Sequence, residues 1–230
     1  MKMSVYARMV EFSVGRGRAN AYLAIPEGGD APGVLVVPAW WGLTNFFKSV
    51  CDRLADSGFV SLAPDIYHGK TAATVTEAKR LRSKLNSAKL RKELDSATDY
   101  LLGAFAETGG RIGVVGFSLG ASWALWLATA RPKEVAAVVT FYGTSKEDYK
   151  KTHADFLGHY AEHDEWEPLD SVRELEKHIR AAGKEVEFHV YPGTTHWFFE
   201  ENQPNAYNPE AAKLAWKRTL RFLHANLDLQ

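Results

Sequence analysis

The stretch Arg111-Ile112-Gly113-Val114-Val115-Gly116-Phe117-Ser118-Leu119-Gly120 constrains this chain more than any other. An apolar run ends in Gly-Phe-Ser-Leu-Gly, and helix-forming residues follow at once from Ala121 to Ala130. The pattern predicts a strand, a tight turn and a helix, with Ser118 at the apex. A serine lifted above a sheet in this way takes a strained backbone conformation, and side chains two residues to either side would collide with it. Gly116 and Gly120 remove those collisions. The helix behind Ser118 points its free N–H groups and positive dipole end at any charge that develops there. On its own the pentapeptide also fits a turn that happens to contain serine, so its partners decide.

Around this unit the chain reads as strands first, then strands and helices in alternation. Val5–Val14 and Arg18–Ile25 are expected strands joined at Gly15-Arg16-Gly17. Pro26–Pro32 is an expected loop, and Gly33–Pro38 is continuously apolar, as a strand buried on both faces should be. Asn45–Ser57 is an amphipathic helix stopped by Gly58, and Phe59–Ala63 is the next strand. Val75–Phe105 reads as two helices broken near Asn86-Ser87. Beyond the central unit, Val135–Tyr142, Ala154–Tyr160 and Val186–Tyr191 are expected strands, and Leu169–Ala182 and Pro209–Asn226 expected helices. About eight strands, mostly separated by helices, predict an α/β fold. Its mostly parallel sheet carries helices on both faces and an N-terminal antiparallel hairpin. A chain of 230 residues is expected to form a single domain over residues 1–230.

Composition narrows the partners. Lys plus Arg equals Asp plus Glu at 28 each, which gives no basis for binding nucleic acid or an anionic membrane. The only cysteine, Cys51, excludes an internal disulfide, fits a reducing compartment and sits in an expected helix as a small apolar residue. Met1-Lys2-Met3-Ser4-Val5-Tyr6 lacks an apolar signal region, and no run of about 18 apolar residues occurs, so a cytoplasmic location is expected. The basic run Arg80, Arg82, Lys84, Lys89, Arg91 and Lys92 is read as a solvated helix face, from which one arginine could reach a substrate carboxylate.

A serine hydroxyl is a weak nucleophile until a base takes its proton, and the base needs an orienting carboxylate. Where the nucleophile sits on a strand-to-helix elbow, the chain order is serine, acid, histidine. Among eight histidines, His196 follows the last expected strand, within a Gly-containing loop before the final helix. His68 precedes the serine, His189 lies inside a strand, His178 and His224 lie on helices, and His153, His159 and His163 flank the strand 154–160. The acid should follow the penultimate strand, where Glu162, Asp164 and Glu165 compete. Asp164, at the turn before Pro168, is the expected one. His159 and His163 with Asp164 could suggest a metal, but zinc-binding histidines four apart need a helix and this segment reads as strand and loop. No metal and no cofactor are expected.

An oxyanion hole needs two backbone N–H groups. Leu119, after the nucleophile, should supply one, and Trp40, in Ala39-Trp40-Trp41-Gly42 after the strand 33–38, the other. Ala39, Trp41, Tyr67, Phe117, Tyr142, Trp197 and Phe198 are the expected lining of a substrate pocket. Its aromatic walls favour a small, fairly apolar acyl or lactone group.

At these residues the chain resembles the dienelactone hydrolase family over nearly its whole length. The resemblance is carried by Val36–Gly42, Ala63-Pro64-Asp65-Ile66-Tyr67, Gly113–Gly120, Phe141-Tyr142-Gly143, Ala161–Pro168 and Tyr191–Trp197. It implies the α/β-hydrolase fold with an eight-stranded sheet, and a nucleophile, acid and base that map onto Ser118, Asp164 and His196. It also implies three departures. The family's nucleophile is cysteine where this chain has Ser118, a glutamate that manages the thiol is replaced by Ala39, and an arginine that holds the substrate carboxylate is replaced by Glu200. A serine needs a base but no carboxylate to manage a thiolate.

The expected function is therefore a serine hydrolase acting on a small carboxylic ester or lactone. Alternatives are carboxymethylenebutenolidase-like dienelactone hydrolysis, which Glu200 disfavours, and peroxidase-like or acyl-transfer chemistry on the same residues. A non-catalytic ligand-binding protein on the same scaffold is a third.

Overall fold

In a computed structural model, residues 5–29, 31–104 and 110–227 are described. The expectations that fall on Met1–Ser4 and on Phe105 lie outside them. The strands are β1 (Tyr6–Val14), β2 (Gly17–Ile25), β3 (Gly33–Val37), β4 (Val60–Pro64), β5 (Ile112–Phe117), β6 (Val135–Phe141), β7 (Asp155–His163) and β8 (Val186–Thr195). The helices are α1 (Asn45–Ala55), α2 (Val75–Ser83), α3 (Ser87–Ala104), α4 (Leu119–Ala130), α5 (Leu169–Ala181) and α6 (Pro209–Leu227). The eight strands form one sheet in the order β1-β2-β4-β3-β5-β6-β7-β8. The α/β-hydrolase architecture read from the sequence is the one found. Within it the chain groups into two compact units, one up to Ile112 and one from Gly113.

In the first unit β1 and β2 form the antiparallel hairpin, β2 runs antiparallel to β4, and β3 runs parallel to β4. Every residue of β3 and β4 is buried, which the unbroken apolar run of β3 announces. Helix α1 buries Phe46, Phe47, Val50, Cys51 and Leu54, the three-to-four spacing of one helical face. The expected break in the long helical region is real. Helix α2 starts from a capping box in which the Thr74 side chain accepts the Glu77 N–H and the Glu77 carboxylate accepts the Thr74 N–H. The Asn86 side chain accepts the Lys89 N–H at 3.0 Å at the start of α3. The basic side chains Arg80, Arg82, Lys84, Lys89, Arg91 and Lys92 are all exposed.

In the second unit β6, β7 and β8 are parallel neighbours. Helix α4 is apolar on nearly all sides, whereas α5 buries only the stripe Val172, Leu175 and Ile179. Two strands run further than the sequence suggested. β7 reaches His163 rather than Tyr160, and β8 reaches Thr195 rather than Tyr191. A register shift between Ala161 and His163 lets β7 keep pairing past Pro192 and Gly193, and Thr194 Oγ donates to the Tyr191 carbonyl at 2.7 Å. The Gly-containing segment before His196 is thus the end of a strand, not a flexible loop. Among the described residues no helix is long and apolar enough to cross a membrane.

Candidate active site

Ser118, Asp164 and His196 each stand one residue beyond the end of a strand: β5, β7 and β8 in turn. Open α/β sheets place their sites at such carboxyl ends. Ser118 has φ 49° and ψ −112°, a conformation that L side chains rarely adopt. Its N–H still donates to the Phe141 carbonyl at 2.9 Å, so the sheet grips the residue up to the turn. A Cβ at Gly116 would lie 2.4 Å from the Gly120 carbonyl oxygen and 2.7 Å from Ala121 Cα, so no larger residue fits there. Leu119 opens α4, and its N–H has no acceptor within that helix.

Ser118 Oγ lies 2.9 Å from His196 Nε2, and His196 Nδ1 lies 2.7 Å from Asp164 Oδ2. The Asp164 carboxylate also accepts the Trp166 and Glu167 N–H groups on Oδ1, both at 2.9 Å. An acceptor-only partner at Nδ1 fixes the proton on that nitrogen and leaves Nε2 free to accept from the serine hydroxyl. Both side chains of this contact are nearly inaccessible, at 5% for His196 and 2% for Asp164, so water competes little with their hydrogen bond.

The three acids considered from the sequence have separate surroundings. Asp164 meets His196, Glu162 accepts the Gly193 N–H at 2.8 Å, and Glu165 is exposed. Sequence reasoning overlooked Glu167, whose carboxylate accepts the Thr144 N–H at 3.0 Å and the Thr144 hydroxyl at 2.8 Å. Burial raises its pKa, partly offset by those two bonds. It ties the loop after β6 to the Asp164 turn, and only the three-dimensional closeness of Thr144 reveals that.

Two further features near His196 were not legible beforehand. Tyr142 has φ 39°, its ring lies 4.8 Å from the imidazole, and its hydroxyl donates to Glu200 at 2.7 Å. Burial, then the Glu200 charge, pushes the Tyr142 phenol well above its ordinary range, so it stays protonated. Glu200 is fully buried, at the position where the resemblance implied an arginine. Gly143 is the second: a Cβ there would lie 2.5 Å from the Ser118 carbonyl oxygen.

The expected pocket residues separate by unit. In the first, Ala39, Trp40, Trp41 and Tyr67 are all buried, with Trp40 at the turn after β3. In the second, Phe117 stacks on Phe141 at 4.7 Å and Phe198 meets Tyr191 at 5.0 Å, both as interior packing. Trp197, with φ 68°, instead lines an open cleft of about 430 Å³ beside His196. His159, weighed above as a metal ligand, is buried between Tyr191 and Thr219, while His163 is exposed and lies 3.3 Å from Glu162. Among the described residues no group of three or more His, Cys, Asp or Glu side chains is arranged to hold a metal ion.

A sequence profile of the dienelactone hydrolase family matches residues 19–227. The chain belongs to the dienelactone hydrolase family. The protein usf of Aquifex pyrophilus is 33% identical over 224 residues, covering 94% of this chain and 96% of that protein. A probable 2-oxo-3-(5-oxofuran-2-ylidene)propanoate lactonase of Bradyrhizobium sp is 32% identical, covering 90% and 89%. A solved structure from Klebsiella pneumoniae subsp. pneumoniae, provisionally named a dienelactone hydrolase, is 26% identical. It aligns with a TM-score of 0.85 over 96% of this chain and 98% of that one. Membership makes this family member a hydrolase of the ester and lactone class.

Proposed function

We propose that this family member is a serine hydrolase of small carboxylic esters or lactones, working through an acyl-enzyme. The observation that carries this reading is the continuous chain of short contacts from Ser118 Oγ to His196 Nε2 and from His196 Nδ1 to Asp164 Oδ2. Ser118 Oγ attacks the substrate carbonyl carbon as His196 Nε2 takes its proton. The resulting imidazolium is stabilised by Asp164, which also holds the ring in the tautomer that can accept. The Leu119 N–H, at the head of α4, receives the oxyanion, with the Trp40 N–H as the second donor. His196 then gives its proton to the leaving alcohol oxygen as the C–O bond breaks. Water repeats the sequence to release the acid and restore the Ser118 hydroxyl. No step requires a metal or organic cofactor, and one domain over residues 1–230 suffices for it.

Serine at position 118 sets this chain apart from the cysteine that the family resemblance implied, and Ala39 goes with that change. The aromatic residues suit a small, fairly apolar acyl group. Glu200, a buried acid, gives no counter-charge for a substrate carboxylate, which weighs against a dienelactone. The test is Ser118→Ala. It should keep the folded circular-dichroism spectrum and lose p-nitrophenyl acetate turnover by about three orders of magnitude or more. A fluorophosphonate probe should label the wild type at Ser118. Near-normal turnover in the variant, or failure of the folded wild type to label, would sink the reading and favour a non-catalytic binding protein.

A further inference from the structure

Beside His196 lies the cleft of about 430 Å³, walled by His163, Glu165, Trp197, Gln203 and Asn205. It belongs to the second unit, and its shape is fixed by a run of turns. The Glu200 N–H donates to the Trp197 carbonyl at 2.8 Å, the Gln203 N–H to the Glu200 carbonyl at 2.9 Å, and the Asn208 N–H to the Phe198 carbonyl at 2.9 Å. The loop that carries Gln203 and Asn205 is therefore folded back on itself before any ligand arrives.

The side chains in this wall have an unusual combination of chemistry. Among the described residues, the Gln203 and Asn205 side-chain amides bond to no protein group, and no cation is paired with Glu165. Two amides and a carboxylate offer donors and acceptors to hydroxyl groups. The Trp197 indole, tilted against Trp166 with ring centroids 6.1 Å apart, adds apolar surface to the lining, which suits the C–H side of a polyol. The uncompensated Glu165 charge disfavours an anionic group.

We infer that this cleft is the subsite for the leaving alcohol, and that it selects esters of neutral polyhydroxylated alcohols over alkyl and anionic ones. The inference rests on the catalytic reading above, because His196 delivers the proton to the leaving oxygen and the alcohol must then lie against His196. The acyl side stays small and apolar, so the two ends of the substrate are chemically distinct.

The experiment compares kcat/KM for three acetates: glycerol monoacetate, butyl acetate and O-acetyl glycolate, which carries an anionic alcohol portion. The wild type should favour the glycerol ester about tenfold over butyl, which corresponds to one or two amide–hydroxyl bonds. Gln203→Leu and Asn205→Leu should each reduce that preference about fivefold through KM. Both should still label at Ser118 with a fluorophosphonate, which shows that the variants remain folded and reactive. Glu165→Gln should raise the rate on O-acetyl glycolate about fivefold. A labelled, active enzyme with equal kcat/KM on glycerol and butyl esters overturns this inference alone. So do variants that lose all three esters in equal proportion, or an unchanged rate on O-acetyl glycolate in Glu165→Gln. An unlabelled, inactive wild type overturns the catalytic reading and this inference with it.

Discussion

Ser118 is held in its strained conformation by neighbours that leave no space beside it. Gly116 and Gly143 bring backbone against the turn from two sides, and a Cβ on either would come within 2.5 Å of a backbone oxygen. Backbone cannot move aside as the tip of a side chain can, so Gly143→Ala must displace Ser118 or the strand end after β6. We expect it to lower kcat about a hundredfold or more, because a shift of about 1 Å at a nucleophile has that effect. Gly17→Ala is the control. Its Cβ would meet nothing nearer than 3.7 Å, and activity should not change. Asp164→Asn tests the acid separately. Both Asp164 oxygens accept N–H bonds, and an amide can offer only one acceptor, so His196 would be left with the wrong tautomer or a lost orienter. A drop in kcat of about 10³-fold or more, with the urea midpoint little changed, is the expected result. Ser118 and His196 were legible in the sequence because elbow chemistry fixes local spacing and chain order. Gly143, Glu167 and the Tyr142–Glu200 bond were not, since each acts on a partner more than twenty residues away.

At the scale of elements, β7, β8 and α6 meet around one buried histidine. Arg218 donates to the Tyr191 hydroxyl at 3.1 Å, and that hydroxyl lies 2.8 Å from His159 Nδ1. His159 Nε2 lies 3.0 Å from Thr219 Oγ, so both ring nitrogens of this buried residue meet hydroxyl groups. Burial, followed by the facing His189 and Arg218, holds its pKa well below the ordinary 6.5. The folded protein therefore resists a proton that the unfolded chain takes up near pH 6.5. Stability is full above that pH and falls as the pH drops below it, by up to about 1.4 kcal/mol per pH unit. His189, also lowered by burial, acts in the same direction. Urea titrations at pH 7.5 and 5.5 should show this loss in the wild type and a smaller one in His159→Gln; equal losses would remove His159 as the cause. This junction explains why boundaries were the weakest part of the sequence reading. The buried strands β3 and β5 announce themselves as unbroken apolar runs, and β6 as one interrupted only by Thr140. β7 and β8 end in polar residues, Pro192 and Gly193, and only their pairing through a register shift shows that they are strands.

For the whole molecule, the proposed serine nucleophile predicts a reagent profile. The chain has one cysteine, Cys51, which lies on α1 at 0% exposure and not at any strand end. Burial pushes its thiol up to about 12, an effect partly offset by Ser61 and reinforced by Asp52. At pH 8 almost none of it is thiolate, and the thiolate is the reactive species. Iodoacetamide should therefore leave ester hydrolysis by the native protein intact, whereas a fluorophosphonate should abolish it with one label per chain. Dialysis against EDTA should also leave the activity unchanged, since the proposed chemistry passes through Ser118, His196 and Asp164 alone. A relative that relies on a cysteine nucleophile would show the opposite response to iodoacetamide under the same conditions. Inactivation of this enzyme by the thiol reagent, with the modified residue mapped to Cys51 in folded protein, would mean that α1 opens to solvent. Inactivation without modification of Cys51 would point to another nucleophile, and mass spectrometry of the labelled chain separates the two.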